Sequence, residues 1–184
     1  MSDKFTFVLG GARSGKSDFA QSLAKTAGGN DVLFVATAQA LDQEMQVRIA
    51  RHRASRPSEW KTLLTPRSPA RALLAAPAAH VVLLDCVTFW VSNVLLEDET
   101  RAEASMLREL EELVEWYRKN GAELILVSNE VGMSVVPDNP LGREYRDLLG
   151  MVNKKLARAA DTVYLVVAGI PMRIKPAHRF GEQA

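Results

Sequence analysis

The sequence predicts an α/β fold on a mostly parallel sheet, and three observations carry that prediction. Five short, nearly continuous apolar runs recur along the chain, at 5–9, 31–36, 81–85, 123–128 and 162–169. Helical patterns separate them. A glycine-rich turn, "GGARSGKS", joins the first run to the first helix. Runs this short and this uniformly apolar suit strands that are covered on both faces. Their alternation with helices suits a doubly wound sheet in a single domain.

Taken in order, "FTFVL" is rich in β-branched and aromatic residues and runs straight into the glycine turn. A helix over 16–27 follows and stops at "GGN". "DVLFVA" is the second strand. A helix over 42–54 carries Met45 and Ile49 one turn apart. "VVLLD" is a third strand that ends in an acid. The long helix over 100–120 has Met106, Leu107, Leu110, Leu113, Val114 and Tyr117 at helical spacing and stops at Gly121. "ELILVS" is a fourth strand. A helix over 141–160 opens after Pro140, and "TVYLVVAG" is the last apolar run. The tail "PMRIKPAHRFGEQA" is polar and contains proline, and a mobile end over 176–184 is expected.

Composition narrows the function classes. The 184 residues are enough for one domain with its own core. A net charge of +1 gives no bulk electrostatic case for nucleic acid or a membrane surface. One cysteine, Cys86, excludes an internal disulfide framework and a cysteine-rich zinc site. Its apolar setting marks it as a buried small hydrophobe. No apolar run is long enough to span a bilayer, and the first residues lack a secretory signal pattern. A cytoplasmic location is the expectation.

Gly10, Gly15, Lys16 and Ser17 match the phosphate-loop pattern G-x-x-x-x-G-K-[ST]. Glycines let the backbone curl so that successive N–H groups point at phosphate oxygens. The following helix offers its free N–H groups to the same anion. Lys16 supplies a charge for the outer phosphates, and the Ser17 hydroxyl can ligate Mg²⁺. "VVLLD" supplies the partner feature, with Asp85 able to hold Mg²⁺ directly or through water, although an acid at a strand end also starts turns. These residues imply a nucleoside triphosphate with Mg²⁺. A small-molecule kinase or nucleotidyltransferase, a nucleic-acid motor and a regulatory GTPase all remain open. "SNEVG" is not the guanine-reading pattern of GTP switches, and the near-neutral charge weighs against a motor.

"RIARHRASRPSEW" sets His52 among Arg48, Arg51, Arg53 and Arg56. On a helix Arg48 and His52 share a face that adjoins Ile49, so a partly sheltered, electropositive site is expected. A neutral imidazole beside bound phosphates can attack an α-phosphorus and form a phosphoramidate. The arginines would offset charge on the leaving pyrophosphate. A solvated basic helix with an incidental histidine is the other reading of the same residues. His80 and His178 have weaker settings.

A longer pattern goes further. "GGARSGKS", "VATAQALDQEM", "RIARHRASRPSEW", "LLDCVTFWVSN" and "SNEVGMSVVPDNPLGREYRDLLGMVNKKLARAADTVYLVVAGIP" follow one another in this order. Together they closely resemble the bifunctional adenosylcobinamide kinase / adenosylcobinamide-phosphate guanylyltransferase family of cobalamin biosynthesis. The resemblance implies a single P-loop domain over 1–184, with helices flanking a mostly parallel sheet and a RecA-like core. It also implies a homo-oligomer, a trimer. It implies phosphorylation of adenosylcobinamide by ATP or GTP, then transfer of GMP from GTP through a covalent GMP–histidine to give adenosylcobinamide-GDP. The family's covalent histidine falls on His52, with Lys16 as the second catalytic residue. Gly10, Gly11, Ala12, Arg13, Ser14, Gly15, Lys16 and Ser17 would hold the triphosphate. Thr37, Ala38 and Gln39 match a second nucleotide-contacting segment, and Arg53, Ala54, Ser55 and Arg56 would line the same nucleotide. Ser17 and Asp85 would hold Mg²⁺. Two positions depart from the family pattern. Asp85 stands where glutamate is common, and Leu63–Leu64 occupy a stretch where an acid is expected.

Overall fold

The computed structural model describes residues 4–176. The elements are β1 (Phe5–Gly10), α1 (Lys16–Gly28), β2 (Val32–Ala36), α2 (Gln43–Ala54), β3 (Lys61–Leu64), α3 (Pro69–Leu74), β4 (Val81–Asp85), α4 (Val87–Glu97), α5 (Ala102–Asn120), β5 (Glu123–Asn129), α6 (Pro140–Ala159), β6 (Thr162–Val167) and β7 (Ile170–Lys175). The strands form one sheet in the order β3-β2-β4-β5-β1-β6-β7. Every neighbouring pair runs parallel except β6–β7. This is the α/β architecture expected from the sequence. β5 lies between the strand that carries the phosphate loop and the strand that ends in Asp85.

The uniform apolar runs resolve into two faces. Phe5, Phe7, Val35, Val82, Leu84, Leu124 and Leu126 face a core built with α3 to α6. Val8, Phe34, Val81, Leu83, Ile125 and Val127 face the other side, against Ala20 and Ala24 of α1 and Trp60. Successive side chains on a strand point to opposite faces, so both must be apolar when helices cover both.

Four elements lie outside the sequence reading. β3 has four residues, at the sheet edge, and α3 has only six. Periodicity needs a longer window than either provides. α4 buries Val87, Thr88, Trp90, Val91, Val94 and Leu95, so its apolar residues spread around the helix and leave no clear stripe. The run at 162–169 also differs from expectation. Ala168 and Gly169 take positive φ and reverse the chain, and β7 returns along the sheet edge. Its proline and charges read as a tail because an edge strand need not be apolar on both faces. The expected mobile end, apart from Pro176, lies outside the described residues, as does His178.

Candidate active site

The loop geometry starts with two glycines. Gly15 caps α1 with φ 87°, a conformation that disfavours any side chain. A Cβ on Gly10 would lie 2.7 Å from the Val166 carbonyl oxygen, so β6 packs directly on the loop's entrance. The β6–β7 turn also holds the loop, because the Gly169 N–H donates to the Ser14 carbonyl at 2.9 Å. Lys16 sits in the first turn of α1 and donates its Nζ to the Gly11 carbonyl at 3.1 Å. Burial lowers the Lys16 pKa, opposed by Cys86 and Asp85, while Arg48 adds to the lowering.

A cavity of about 570 Å³ opens at the C-terminal ends of β1, β2, β4 and β5. Ligands of open parallel sheets bind at this end, where the loops leave the strands. Ala12, Arg13, Ser14, Gly15, Lys16 and Ser17 form one wall, and Asp85 lies at the end of β4. Burial pushes the Asp85 carboxyl above the usual carboxylate range, against a Ser17 hydrogen bond and the charges of His52, Lys16 and Arg56. Burial and the neighbouring Asp85 charge push the Cys86 thiol up to about 11, so it stays a neutral thiol at physiological pH.

The opposite wall comes from α2. Met45, Arg48, Ile49 and His52 reach the cavity at the three- and four-residue spacing of one helix face, and Arg56, two residues past the helix end, joins them. The Asp42 side chain caps the helix by accepting from the Met45 N–H at 2.7 Å. The His52 carbonyl accepts from Arg56 Nε at 2.9 Å. The Arg56 guanidinium stacks over the Phe34 ring, 3.7 Å from its centroid. One of its nitrogens, Nη1, is buried without a hydrogen-bond partner among the described residues. Burial lowers the Arg56 pKa, opposed by Asp85, with Arg53 adding to the lowering.

The sheltered setting expected for His52 is corrected. No residue of α2 is buried, and His52 is exposed at the cavity's rim. The helix is polar over most of its surface, so little apolar area draws it onto the sheet.

The cavity therefore gathers Ala12 to Ser17, Ala38, His52, Arg56 and Asp85. Gly10 and Gly11 shape the turn behind that wall. Thr37 is not on the wall: it is fully buried and clamps Cys86, donating to its carbonyl at 2.6 Å and accepting from its N–H at 3.1 Å. Gln39, half-buried, lies off this wall and donates to Asn93 at 3.1 Å. Arg53, Ala54 and Ser55 are exposed and off the wall, since the helical rotation carries them away from the face of His52. Leu63 packs against the core and Leu64 faces solvent, so neither reaches the cavity wall. Sequence reasoning missed Phe34, Thr88, Phe89 and Asn129, which also line the cavity. For Asn129 a signal existed, namely a polar residue closing an apolar strand.

Two oxygen groups could hold a cation here, the Ser17 hydroxyl and the Asp85 carboxylate, which share a hydrogen bond. The described residues contain no cluster of three or more His, Cys, Asp or Glu side chains placed to hold a metal. A site with so few protein oxygens fits Mg²⁺, which keeps waters and substrate phosphates as its other ligands.

Comparison with known proteins agrees with the early resemblance. The profile of the family described as cobinamide kinase / cobinamide phosphate guanyltransferase matches residues 6–174. The bifunctional adenosylcobalamin biosynthesis protein CobP of Pseudomonas aeruginosa is 44% identical over 169 residues, covering 91% of this chain and 95% of that protein. The CobU proteins of Salmonella typhimurium and Escherichia coli are 41% and 40% identical, each over 179 residues, covering 91% of this chain and 98% of theirs.

Proposed function

We propose a two-step use of one cavity by this chain, which belongs to the cobinamide kinase / cobinamide phosphate guanyltransferase family and is a bifunctional enzyme of that kind. In the first step the aminopropanol hydroxyl oxygen of adenosylcobinamide attacks the γ-phosphorus of ATP or GTP. The bond to the β-bridging oxygen breaks, the hydroxyl proton leaves, and a nucleoside diphosphate departs. Such transfers need positioning and charge neutralisation more than covalent help. The loop N–H groups and Lys16 meet the phosphates. Ser17 and Asp85 would hold Mg²⁺, which when bound offsets phosphate charge.

In the second step an imidazole nitrogen of His52 attacks the α-phosphorus of GTP. A P–N bond forms, the bond from the α-phosphorus to its bridging oxygen breaks, and pyrophosphate leaves. A phosphate oxygen of adenosylcobinamide phosphate then attacks the same phosphorus. The P–N bond breaks, His52 is restored, and adenosylcobinamide-GDP is the product. Covalent transfer brings one highly charged partner to the site at a time. Arg48 and Arg56 lie on the histidine's wall and would offset the charge that builds on the leaving group.

The observation that carries this reading is that His52 and the phosphate loop line one cavity with Asp85. A helix bearing an incidental histidine would have no reason to turn it toward the loop. We further propose one P-loop domain working in the cytoplasm as a homo-oligomer, a trimer, without nucleic acid. Exposed Ile170, Met172 and Ile174 on edge strand β7 support an interface between copies. Among the described residues no helix is long and apolar enough to cross a membrane.

The test is labelling with α-³²P-GTP and Mg²⁺, followed by peptide mapping. Wild type gives an acid-labile, base-stable adduct on His52. His52→Ala gives none, and retains most of its phosphorylation of adenosylcobinamide. An adduct of normal yield in that variant would sink the assignment.

A further inference from the structure

β5 ends at Asn129, on the cavity wall, and the loop over 130–139 carries the chain on to α6. Three side chains of that loop are large, apolar and turned to solvent. Met133 is 82% exposed, Val135 90% and Val136 59%. The segment is nonetheless ordered. The Glu130 carboxylate accepts from the Gly132 N–H at 2.6 Å, and the Ser134 hydroxyl donates to the Val131 carbonyl at 2.7 Å. Arg143 Nη1 reaches back from α6 and donates to the carbonyls of Pro137 and Asp138, at 3.1 and 2.9 Å. Val131 packs against the core. The loop's polar groups therefore hold its shape while its apolar groups face water. Neighbouring apolar side chains exposed on an ordered segment mark a binding surface, and a backbone already fixed lowers the entropy lost on binding.

Position and charge together identify the occupant. In the kinase step the acceptor hydroxyl must reach the terminal phosphate, which Lys16 and the Ser17–Asp85 pair would hold. A cavity of about 570 Å³ is the size that one nucleotide fills. The corrin ring of adenosylcobinamide does not fit in beside it. The ring must rest outside, with only its aminopropanol arm reaching in. Met133 is four residues past Asn129, so its backbone lies within about 14 Å of the wall.

The ring is a broad, largely apolar macrocycle edged with neutral amides. Its cobalt(III), set against the negative charges of the corrin and the adenosyl carbon, leaves one net positive charge. The α2 rim of the cavity suits such a ligand poorly, because Arg48, Arg51 and Arg53 are all exposed there. The loop side has no lysine or arginine over 129–142 and carries Glu130 and Asp138. We propose that the loop over 130–139 is the corrinoid dock, with Met133, Val135 and Val136 against the macrocycle while its arm enters the cavity. The inference rests on the kinase reading of the cavity, but not on the covalent GMP step.

Steady-state phosphorylation by the full chain, with adenosylcobinamide and ATP varied in turn, tests it. Met133→Ser/Val135→Ser raises the KM for adenosylcobinamide about tenfold, through the loss of two apolar contacts. The KM for ATP and the kcat at saturation stay within about twofold and report an intact fold. Met133→Leu/Val135→Ile keeps the apolar surface and stays near wild type. Val135→Lys raises the KM for adenosylcobinamide more than Val135→Glu does, because the ligand is a cation. Assembled mass is read on every variant by light scattering. An unchanged KM for adenosylcobinamide in the serine variant, an equal rise for ATP, or a lysine variant no worse than the glutamate one overturns the proposal and leaves the two-step function standing. A fall in assembled mass shows that a second copy covers the loop, and overturns it too. Failure of wild type to phosphorylate adenosylcobinamide overturns the kinase reading and the dock together.

Discussion

Asp85 shows at the level of one residue how function and stability oppose each other. Its carboxyl is half-buried at the cavity wall, and desolvation outweighs Ser17 and the nearby positive charges, so its pKa is raised. An acid with a raised folded pKa destabilises the fold wherever it is ionised. The cost is complete above the folded pKa, fades as pH falls through it, and is gone below the ordinary carboxylate value. Asp85→Asn keeps the shape and removes the charge. Its Tm is expected to exceed wild type at neutral and alkaline pH and to match it in acid, by calorimetry across that window. The same variant loses about a hundredfold in kcat for phosphorylation, the scale of losing one preorganised electrostatic group. A variant less stable than wild type at neutral pH would show that the positive neighbours outweigh burial.

Among the elements α2 stands apart. It carries His52 and Arg48, yet none of its residues is buried. α1, α4 and α5 each bury several side chains. Packing on an apolar face, not propensity, supplies most of a helix's stability in a protein. Amides of α2 are therefore expected to exchange hydrogen at least tenfold faster than those of α4, read by mass spectrometry. Its N-terminus depends on the Asp42 cap, so Asp42→Ala costs about 1 kcal/mol of local stability. That variant is expected to slow GMP labelling of His52 while adenosylcobinamide phosphorylation stays near wild type. Equal exchange in α2 and α4 would contradict this account. The basic, histidine-bearing stretch was legible as a helix because its chemistry repeats at helical spacing. Its exposure was not, since a face beside Ile49 looks much the same in sequence whether or not the sheet receives it.

Across the whole molecule the helical layer is joined by one buried acid that no motif announced. Glu109 of α5, only 2% exposed, accepts from Trp90 Nε1 of α4 at 2.6 Å, from the Ser68 N–H at 2.8 Å and from Arg67 at 2.8 Å. Arg67 also pairs with Glu97. Burial opposes the charge on Glu109, but the Trp90, Ser68 and Arg67 hydrogen bonds prevail and hold its carboxyl below the usual range. Glu109→Ala leaves these donors unmatched and is expected to cost about 3 kcal/mol, a Tm loss of roughly 6–12 °C. A depressed folded pKa gives stability that is present above the unfolded value and is lost as pH falls through the folded one. The gap to wild type should therefore close in acid, and a gap independent of pH would assign the loss to packing alone. The sequence by itself determined the sheet's five inner strands, the phosphate loop and the acid of β4, because each follows from local periodicity or a short spacing. It also pointed to His52 through its arginines and the family pattern. Only the tertiary structure decided that α2 turns His52 toward the loop, that Thr37 is a buried clamp, and that Glu109 joins the helices. Those contacts join residues far apart in the chain, Glu109 with Ser68 and Thr37 with Cys86. Local sequence encodes which residues can form such contacts, and folding selects which of them meet.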